Sequence, residues 1–331
     1  MIKCGIIGFG KMGKIRLNSI IKSGRAQVIS VYDPNNSDNI KDLENIKIYD
    51  SLNSFFNSGI KAVFICSPNY LIKDYTIEAL NRKINVFSEK PPGINLGQTL
   101  EMHLQSINNP DIILMFGFNH RHHGSVKKMK DIIENNQMGK ILWIRGRYGK
   151  EVDENFLNGW RVDHKLSGGG IMLDQGIHML DLFLYLSGDF DEVKSFVSNL
   201  YWKIPNIEDN VFVILRNSQS GICASLHSTM TQWRYIFSLE IFLEDGSLIL
   251  NGLKTSSGAY GDEILSIKYN NKMVKDGSFT NEEEIIYHDD HSWDMEINHF
   301  FDCIDLNKKP SFGNSEDAIK LMEVMQKIYN N

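Results

Sequence analysis

Over the first 120 residues, short runs of consecutive apolar residues alternate with longer stretches in which apolar positions recur at helical spacing. The runs at 3–8, 27–33, 46–49, 62–67, 85–88 and 112–118 read as strands. Several, such as AVFIC and IILMF, are apolar at every position. Strands covered on both faces by helices have this pattern, so the sheet they form is expected to be parallel. Helical patterns fit between them, for example over 70–81 and 96–106. The alternation predicts a doubly wound α/β domain over residues 1–120.

After about residue 120 the pattern changes. A helix over 125–135 and a strand over 141–148 precede a polar loop, 151–167, and a triple glycine. Strand-like runs follow at 193–200, 211–215, 221–229, 237–243, 247–250, 265–269 and 284–288, with hairpin signals such as NSQSG and EDG between them. They predict a second, α+β domain over 121–331, built on a large open, mostly antiparallel sheet with helices on one face. Two helices close the chain, 293–306 and 316–329, the second with Ser315 as its N-cap. The C-terminal helix has room to pack back on the first domain.

Length supports two domains, because 331 residues exceed the roughly 250–300 at which single cores stop growing. The balance of 35 basic against 41 acidic residues, a net charge of −6, argues against a surface built for nucleic-acid phosphates. No run of about 20 apolar residues offers a membrane span. The opening MIKCGIIGFG enters a strand directly and reads as mature cytoplasmic sequence. Cys4, Cys66, Cys223 and Cys303 form no CxxC pair and read as buried small hydrophobes in a reducing compartment.

Three features carry chemistry. The first is Gly8-Phe9-Gly10-Lys11-Met12-Gly13, a GxGxxG between a strand and a helix. Gly8 permits the tight turn, Gly10 lets backbone approach a pyrophosphate, and Gly13 lets helix and strand pack closely. The second predicted strand ends on Asp33, 20 residues beyond Gly13, where a carboxylate would accept hydrogen bonds from a ribose. The bland alternative is an ordinary βα turn followed by a turn-forming Asp-Pro. Asp33 would repel a 2′-phosphate and the following Pro34-Asn35-Asn36-Ser37 brings no cation, which favours NAD over NADP.

The second feature is GGGIMLDQGIHMLDLFLYLSG, apolar nearly all round and hence a buried helix. Asp174, His178 and Asp181 fall at i, i+4 and i+7 on one of its faces. Buried groups of this kind are either a satisfied structural network or the lining of a wet cleft. The preceding Gly168-Gly169-Gly170 favours the cleft, since bare backbone permits close approach by a substrate or loop. The third feature is Glu89-Lys90-Pro91-Pro92 at the carboxyl end of the fifth strand, the edge where doubly wound sheets bind ligands. A lone strand-end lysine is more often a solvated charge.

Together these residues resemble the glucose–fructose oxidoreductase / inositol dehydrogenase (Gfo/Idh/MocA) family. The resemblance runs through GFGKMG, Ser67-Pro68-Asn69, EKP at 89–91, GFNHR at 117–121, WRVDHKLSGGGIMLDQGIHMLD at 160–181 and SEDAIKLMEVMQKIY near the end. It implies a Rossmann domain followed by an open-sheet domain, and hydride transfer between a nicotinamide and a secondary hydroxyl or keto carbon of a sugar, polyol or sugar derivative. It also implies cofactor contacts from Gly8, Phe9, Gly10, Lys11, Met12, Gly13, Asp33, Ser67, Pro68, Asn69, Glu89 and Lys90. By the same resemblance the catalytic group is Lys90, Asp174 and His178. His178 is the natural proton acceptor, Lys90 would stabilise the charge developing on the same oxygen, and Asp174 would bind a neighbouring hydroxyl or orient the imidazole. Which of Lys90 and His178 takes the proton stays open. Two positions depart from the family pattern: Ile72 stands where a histidine is common, and Arg82-Lys83-Ile84 replaces a Gly-Lys-His.

Arg121, Trp160 and Arg161 are candidates to bind substrate, with Trp233 and Arg234 as weaker ones. His120-Arg121-His122-His123 and His288-Asp289-Asp290-His291 lack a metal-ligand spacing and read as solvated turns, so no metal is expected. Two other functions remain: an NAD-dependent glycosidase of this fold, and a non-catalytic dinucleotide-sensing regulator. The uncovered face of the second sheet predicts a homodimer or homotetramer packed through it.

Overall fold

Continuous apolar runs do become parallel strands. The computed structural model describes residues 1–35, 45–255, 257–270 and 281–330, and the chain divides into two compact units. The first comprises 1–119, 165–168 and 293–322; the second comprises 120–164, 169–292 and 323–331.

In the first unit the order is β1 (Ile2–Ile7), α1 (Lys11–Ser23), β2 (Ala26–Tyr32), β3 (Lys47–Tyr49), α2 (Leu52–Phe56), β4 (Ala62–Ile65), α3 (Asn69–Asn81), β5 (Asn85–Glu89), α4 (Leu96–Ile107) and β6 (Leu114–Gly117). The sheet runs β3-β2-β1-β4-β5-β6, parallel throughout. Strand order therefore reverses between β1 and β4, and at such a switch point the carboxyl ends of the strands leave a crevice.

The second unit holds α5 (Gly124–Glu134), β7 (Ile141–Glu151), α6 (His164–Ser167, whose last residues belong to the first unit), α7 (Ile177–Ser187) and β8 (Glu192–Ser198). It continues with β9 (Asn210–Arg216), β10 (Cys223–Thr229), β11 (Thr231–Leu243), β12 (Gly246–Asn251), β13 (Glu263–Tyr269) and β14 (Glu283–Tyr287). These make an eight-stranded sheet, β14-β13-β12-β11-β7-β10-β9-β8, antiparallel except for the β7–β10 pair. Helix α7 lies close on β7 because Gly146 leaves room: a Cβ there would sit 2.6 Å from Met179.

The other face of this sheet is apolar in part. Phe196, Phe212 and Ile214 are exposed on it, and Trp143 stacks on Phe242 at 4.1 Å. Strand β10 adds no apolar side chain to that surface. Its apolar residues Ala224 and Leu226 are buried, while Cys223 is exposed and so is not the buried thiol expected.

Two helices end the chain, α8 (Ser292–Leu306) and α9 (Ser315–Asn330). Helix α8 and the first half of α9, to residue 322, belong to the first unit. Phe300 and Phe301 meet Phe64 at 5.5 and 6.2 Å, edge to face, and Phe300 meets Phe87 in the same way. A single domain over 121–331 is therefore not how the chain divides, because the apolar face of α8 is buried in the first core. The cap of α9 is also corrected. Asn314 Oδ1 accepts from the backbone N–H groups of Glu316 and Asp317, while Ser315 Oγ pairs with His103 Nδ1 at 2.9 Å.

Arg16 on α1 is a fully buried charge of this unit, with no exposure. Its guanidinium reaches Glu89 and Glu296 at 2.6 Å each and lies between the rings of Phe87 and Trp293, 4.4 and 4.8 Å from their centroids. Gly117 leaves space for the cluster, since a Cβ there would lie 3.0 Å from Arg16 Nη2. Burial alone would lower the Arg16 pKa, but Glu89 and Glu296 reverse this and hold it above its ordinary value. Arg16→Met leaves two carboxylates without their cation, and should cost about 3–5 kcal/mol in urea denaturation. A loss below about 1 kcal/mol would show that the cluster contributes nothing net.

Candidate active site

The glycine loop has the geometry a dinucleotide cradle needs. Gly8 has φ of +83°, and a Cβ on it would lie 2.6 Å from Cys66 O; a Cβ on Gly13 would lie 2.2 Å from Gly8 O. A Cβ on Gly10 meets nothing, so the cradle is open on that side. Helix α1 begins after Gly10 and α3 after Pro68, and neither start is capped by a side chain. Two helix N-termini thus present N–H groups near the switch point.

Asp33 is tied to the loop. Its Oδ2 accepts from Phe9 N at 2.6 Å and its Oδ1 from Asn35 N at 2.9 Å. Asn36 and Ser37 lie outside the described residues. Phe9 is 2% exposed in the core and offers a ligand only its backbone, whereas Lys11 is exposed and Met12 half-buried. Ser67 Oγ is buried without a hydrogen-bond partner, an orphan hydroxyl that a bound cofactor would satisfy. Asn69 Nδ2 instead donates to Ser167 O at 2.8 Å. The residues present therefore fit NAD. Glu89 is the exception, because its carboxylate is 5% exposed and committed to Arg16. Lys90 follows it, half-buried, at the end of β5.

In the second unit the stripe on the apolar helix is divided. Residues Met172–Gly176 form a π-helical turn, and regular α-helix begins only at Ile177. A π turn changes the angular step, so the spacing of a continuous α-helix does not describe Asp174 and His178. Asp181 is 1% exposed and paired bidentately with Arg121, at 2.6 and 2.8 Å. Arg121, expected to touch substrate, is thus a buried partner of Asp181, and for Asp181 the structural network is the right account.

Asp174 keeps a polar setting. Lys150 Nζ lies 2.5 Å from its Oδ2 and Arg161 Nε 3.8 Å from its Oδ1, with Arg161 lying over the Trp160 ring at 4.4 Å. The structure thus brings Asp174, Arg161 and Trp160 together as candidates. Trp233 is far more exposed, packed edge-on against Tyr201. His178 is buried to 7% and stacks on His120.

The triple glycine serves protein contacts. Within the first unit, Gly168 has φ of +83° and its Cβ would lie 2.4 Å from Ile94 O. Within the second, a Cβ on Gly169 would meet the Tyr329 hydroxyl at 2.3 Å, and one on Gly170 would meet Glu208 O at 2.1 Å. Glu208 holds this segment by accepting from Gly170 N, Met172 N and the Tyr329 hydroxyl at 2.7, 3.0 and 2.8 Å. Burial pushes its carboxyl up despite those donors.

The histidine turn at 120–123 is the largest correction, for all four residues are buried to 3–6%. His123 Nδ1 pairs with Glu263 at 2.8 Å, and Ser125 Oγ donates to the same carboxylate at 2.5 Å. Burial pushes the Glu263 carboxyl up, but these partners outweigh it and hold it below the ordinary glutamate range. The 288–291 segment is a mostly exposed turn, as expected.

Residues 2–118 match the model described as oxidoreductase family, NAD-binding Rossmann fold, and residues 126–249 match the GFO/IDH/MocA C-terminal domain. The chain belongs to the GFO/IDH/MocA family. It is an oxidoreductase with an NAD-binding Rossmann domain, and its GFO/IDH/MocA C-terminal match contains Asp174 and His178. Myo-inositol 2-dehydrogenase of Thermotoga maritima is 24% identical over 274 residues, 79% of each chain. The 2,7-anhydro-N-acetylneuraminate hydratase of Escherichia coli K12 is 28% identical over 77% of this chain and 67% of that one. A levoglucosan dehydrogenase, complex with NADH and levoglucosan, matches with TM-score 0.87 at 20% identity, over 99% of this chain and 96% of that one. At that identity the likeness is one of fold.

Lys150, Tyr148, Tyr260, Gln175 and Glu208 escaped the sequence reading. Only the first two left a signal: the period-two set Ile144, Gly146, Tyr148, Lys150 marks the covered face of β7. With Asp33 fixed at the loop, NAD(H) should bind more tightly than NADP(H) in calorimetry, and Asp33→Ser with Asn35→Arg should narrow the gap. Equal or reversed affinities for the unaltered protein would remove this assignment.

Proposed function

We propose that this member of the GFO/IDH/MocA family is an NAD-dependent dehydrogenase or reductase acting on a secondary hydroxyl or keto carbon of a sugar, polyol or sugar derivative. The observation that carries this reading is a single turn of the second unit. It combines a carboxylate held between two cations, Asp174, with a buried imidazole, His178. NAD, when bound, supplies the two-electron acceptor for oxidation of the carbon. His178 takes the hydroxyl proton, as a group that titrates near neutrality is suited to do. Lys90 is assigned the charge that develops on that oxygen. Asp174 binds a neighbouring hydroxyl; Lys150 and Arg161 favour its ionised, acceptor-only form. Trp160, beside Arg161, offers a face for a sugar ring.

The names of the relatives agree with a polyhydroxylated substrate. One of them, named a hydratase, favours a second reading in which the substrate leaves without net oxidation. Accumulation of NADH absorbance on mixing with substrate separates the two.

Four thiols that form no disulfide fit a cytoplasmic protein, which cell fractionation would check. The apolar residues on the open sheet face support a homodimer or homotetramer packed through it. Light scattering should give a dimer or tetramer at micromolar concentration, and a monomer would sink that part. For catalysis, Lys90→Met should abolish turnover with NAD binding nearly intact, and His178→Asn should lower kcat on the order of 10²–10⁴-fold. Asp174→Asn should raise KM as well as lower kcat. Folded, NAD-binding variants of Lys90 and His178 with near-normal kcat would move the active site elsewhere.

A further inference from the structure

His120 has no part in the chemistry described so far. It sits in a 3₁₀ turn, Asn119–His122, with its ring stacked on that of His178: the centroids are 4.0 Å apart and the planes 18° from parallel. Its Nε2 lies 3.1 Å from the Tyr148 hydroxyl. Beyond Tyr148 stands Tyr260, the two ring centroids 5.2 Å apart, and the Tyr260 hydroxyl donates to Gln175 Oε1 at 2.8 Å.

Burial pushes the Tyr148 phenol well up, so it keeps its proton. A protonated His120 carries N–H on both ring nitrogens, so its Nε2–H donates to the Tyr148 oxygen. An amide oxygen only accepts, so the Tyr260 proton is committed to Gln175, which stands between Asp174 and His178.

We propose that His120 is a positioning residue for His178: the hydrogen bond to Tyr148 fixes the plane of His120, and its ring face fixes the plane of the imidazole that takes the proton. This rests on the reading of His178 as proton acceptor and adds a second consequence. Two imidazolium rings at this separation repel, so the pair binds one proton well before the other. His120 receives it, because its cation donates to the Tyr148 oxygen, and that charge keeps His178 in the base form to lower pH. The charged groups around the pair are balanced. Asp174 has Lys150 and Arg161, Asp181 has Arg121, and His123, 5.7 Å from His120, has Glu263. Tyr148 and Tyr260 are further titratable neighbours, and burial pushes both up.

The test is a histidine NMR titration of the NAD-bound protein alongside the pH profile of kcat/KM. His120→Phe keeps a stacking face and removes the competing site. The His178 midpoint and the acid limb of kcat/KM should both rise, by about one pH unit. His120→Ala removes the face, and kcat should fall about tenfold with KM within about twofold. Tyr148→Phe takes away the acceptor of the His120 Nε2–H and should shift the midpoint in the same direction by less. An unmoved midpoint in His120→Phe, or wild-type kcat in His120→Ala, would overturn the proposal, as would a change in melting temperature alone. A midpoint that moves while the acid limb stays put supports the ring coupling and removes His178 as the proton acceptor.

Discussion

A guanidinium shut away from water needs carboxylates and ring faces in place of the contacts that water gave it. Arg16 has both, and much of the first unit is arranged around the fact. It joins the helix that opens at the glycine loop to the last residue of β5 and to α8, through Glu89 and Glu296. The residue after Glu89 is Lys90. The backbone that carries the lysine is therefore tied to the helix beneath the dinucleotide cradle, and the glycine at 117 keeps the space free. Glu89 stands in the motif for this reason, rather than to touch the cofactor.

The second unit solves a related problem with several smaller devices. Its most apolar helix begins in a π turn whose entry is held by the buried carboxylate of Glu208. Further along that helix Asp181 closes on Arg121, and at the start of β13 Glu263 closes on His123 and Ser125. Asp174 keeps a partial exposure that those carboxylates lack. Because its neighbours are locked, its carboxylate is preset rather than one that must first be ordered.

What the sequence revealed follows from the range of the interactions. Strands with continuous apolar runs, the glycine loop and Asp33 are set by neighbours within some 25 residues, and the periodicities show them. The partner of Arg16 at Glu296 lies 280 residues away, and that of Arg121 60 away. No periodicity carries such information, so Arg121 read as a substrate contact and the histidine turn as solvated. The π turn was hidden for another reason: IMLDQGIHML has the composition of an ordinary buried helix, and the inserted phase change has no residue signature. Asn314 was passed over as a cap because Ser315, beside it, is as good a capping residue by type.

The first unit is discontinuous along the chain, and that has a consequence for its making. Its sheet is complete in sequence by residue 117, yet the faces of Phe64 and Phe87 are sealed by Phe300 and Phe301, and the charge of Arg16 is not balanced until Glu296 exists. During synthesis the nascent sheet must wait for some 180 further residues, with an apolar face and an unsatisfied cation exposed. Meanwhile β7 waits for β10 and β11. Neither unit can finish folding as it leaves the ribosome, so both mature late and together.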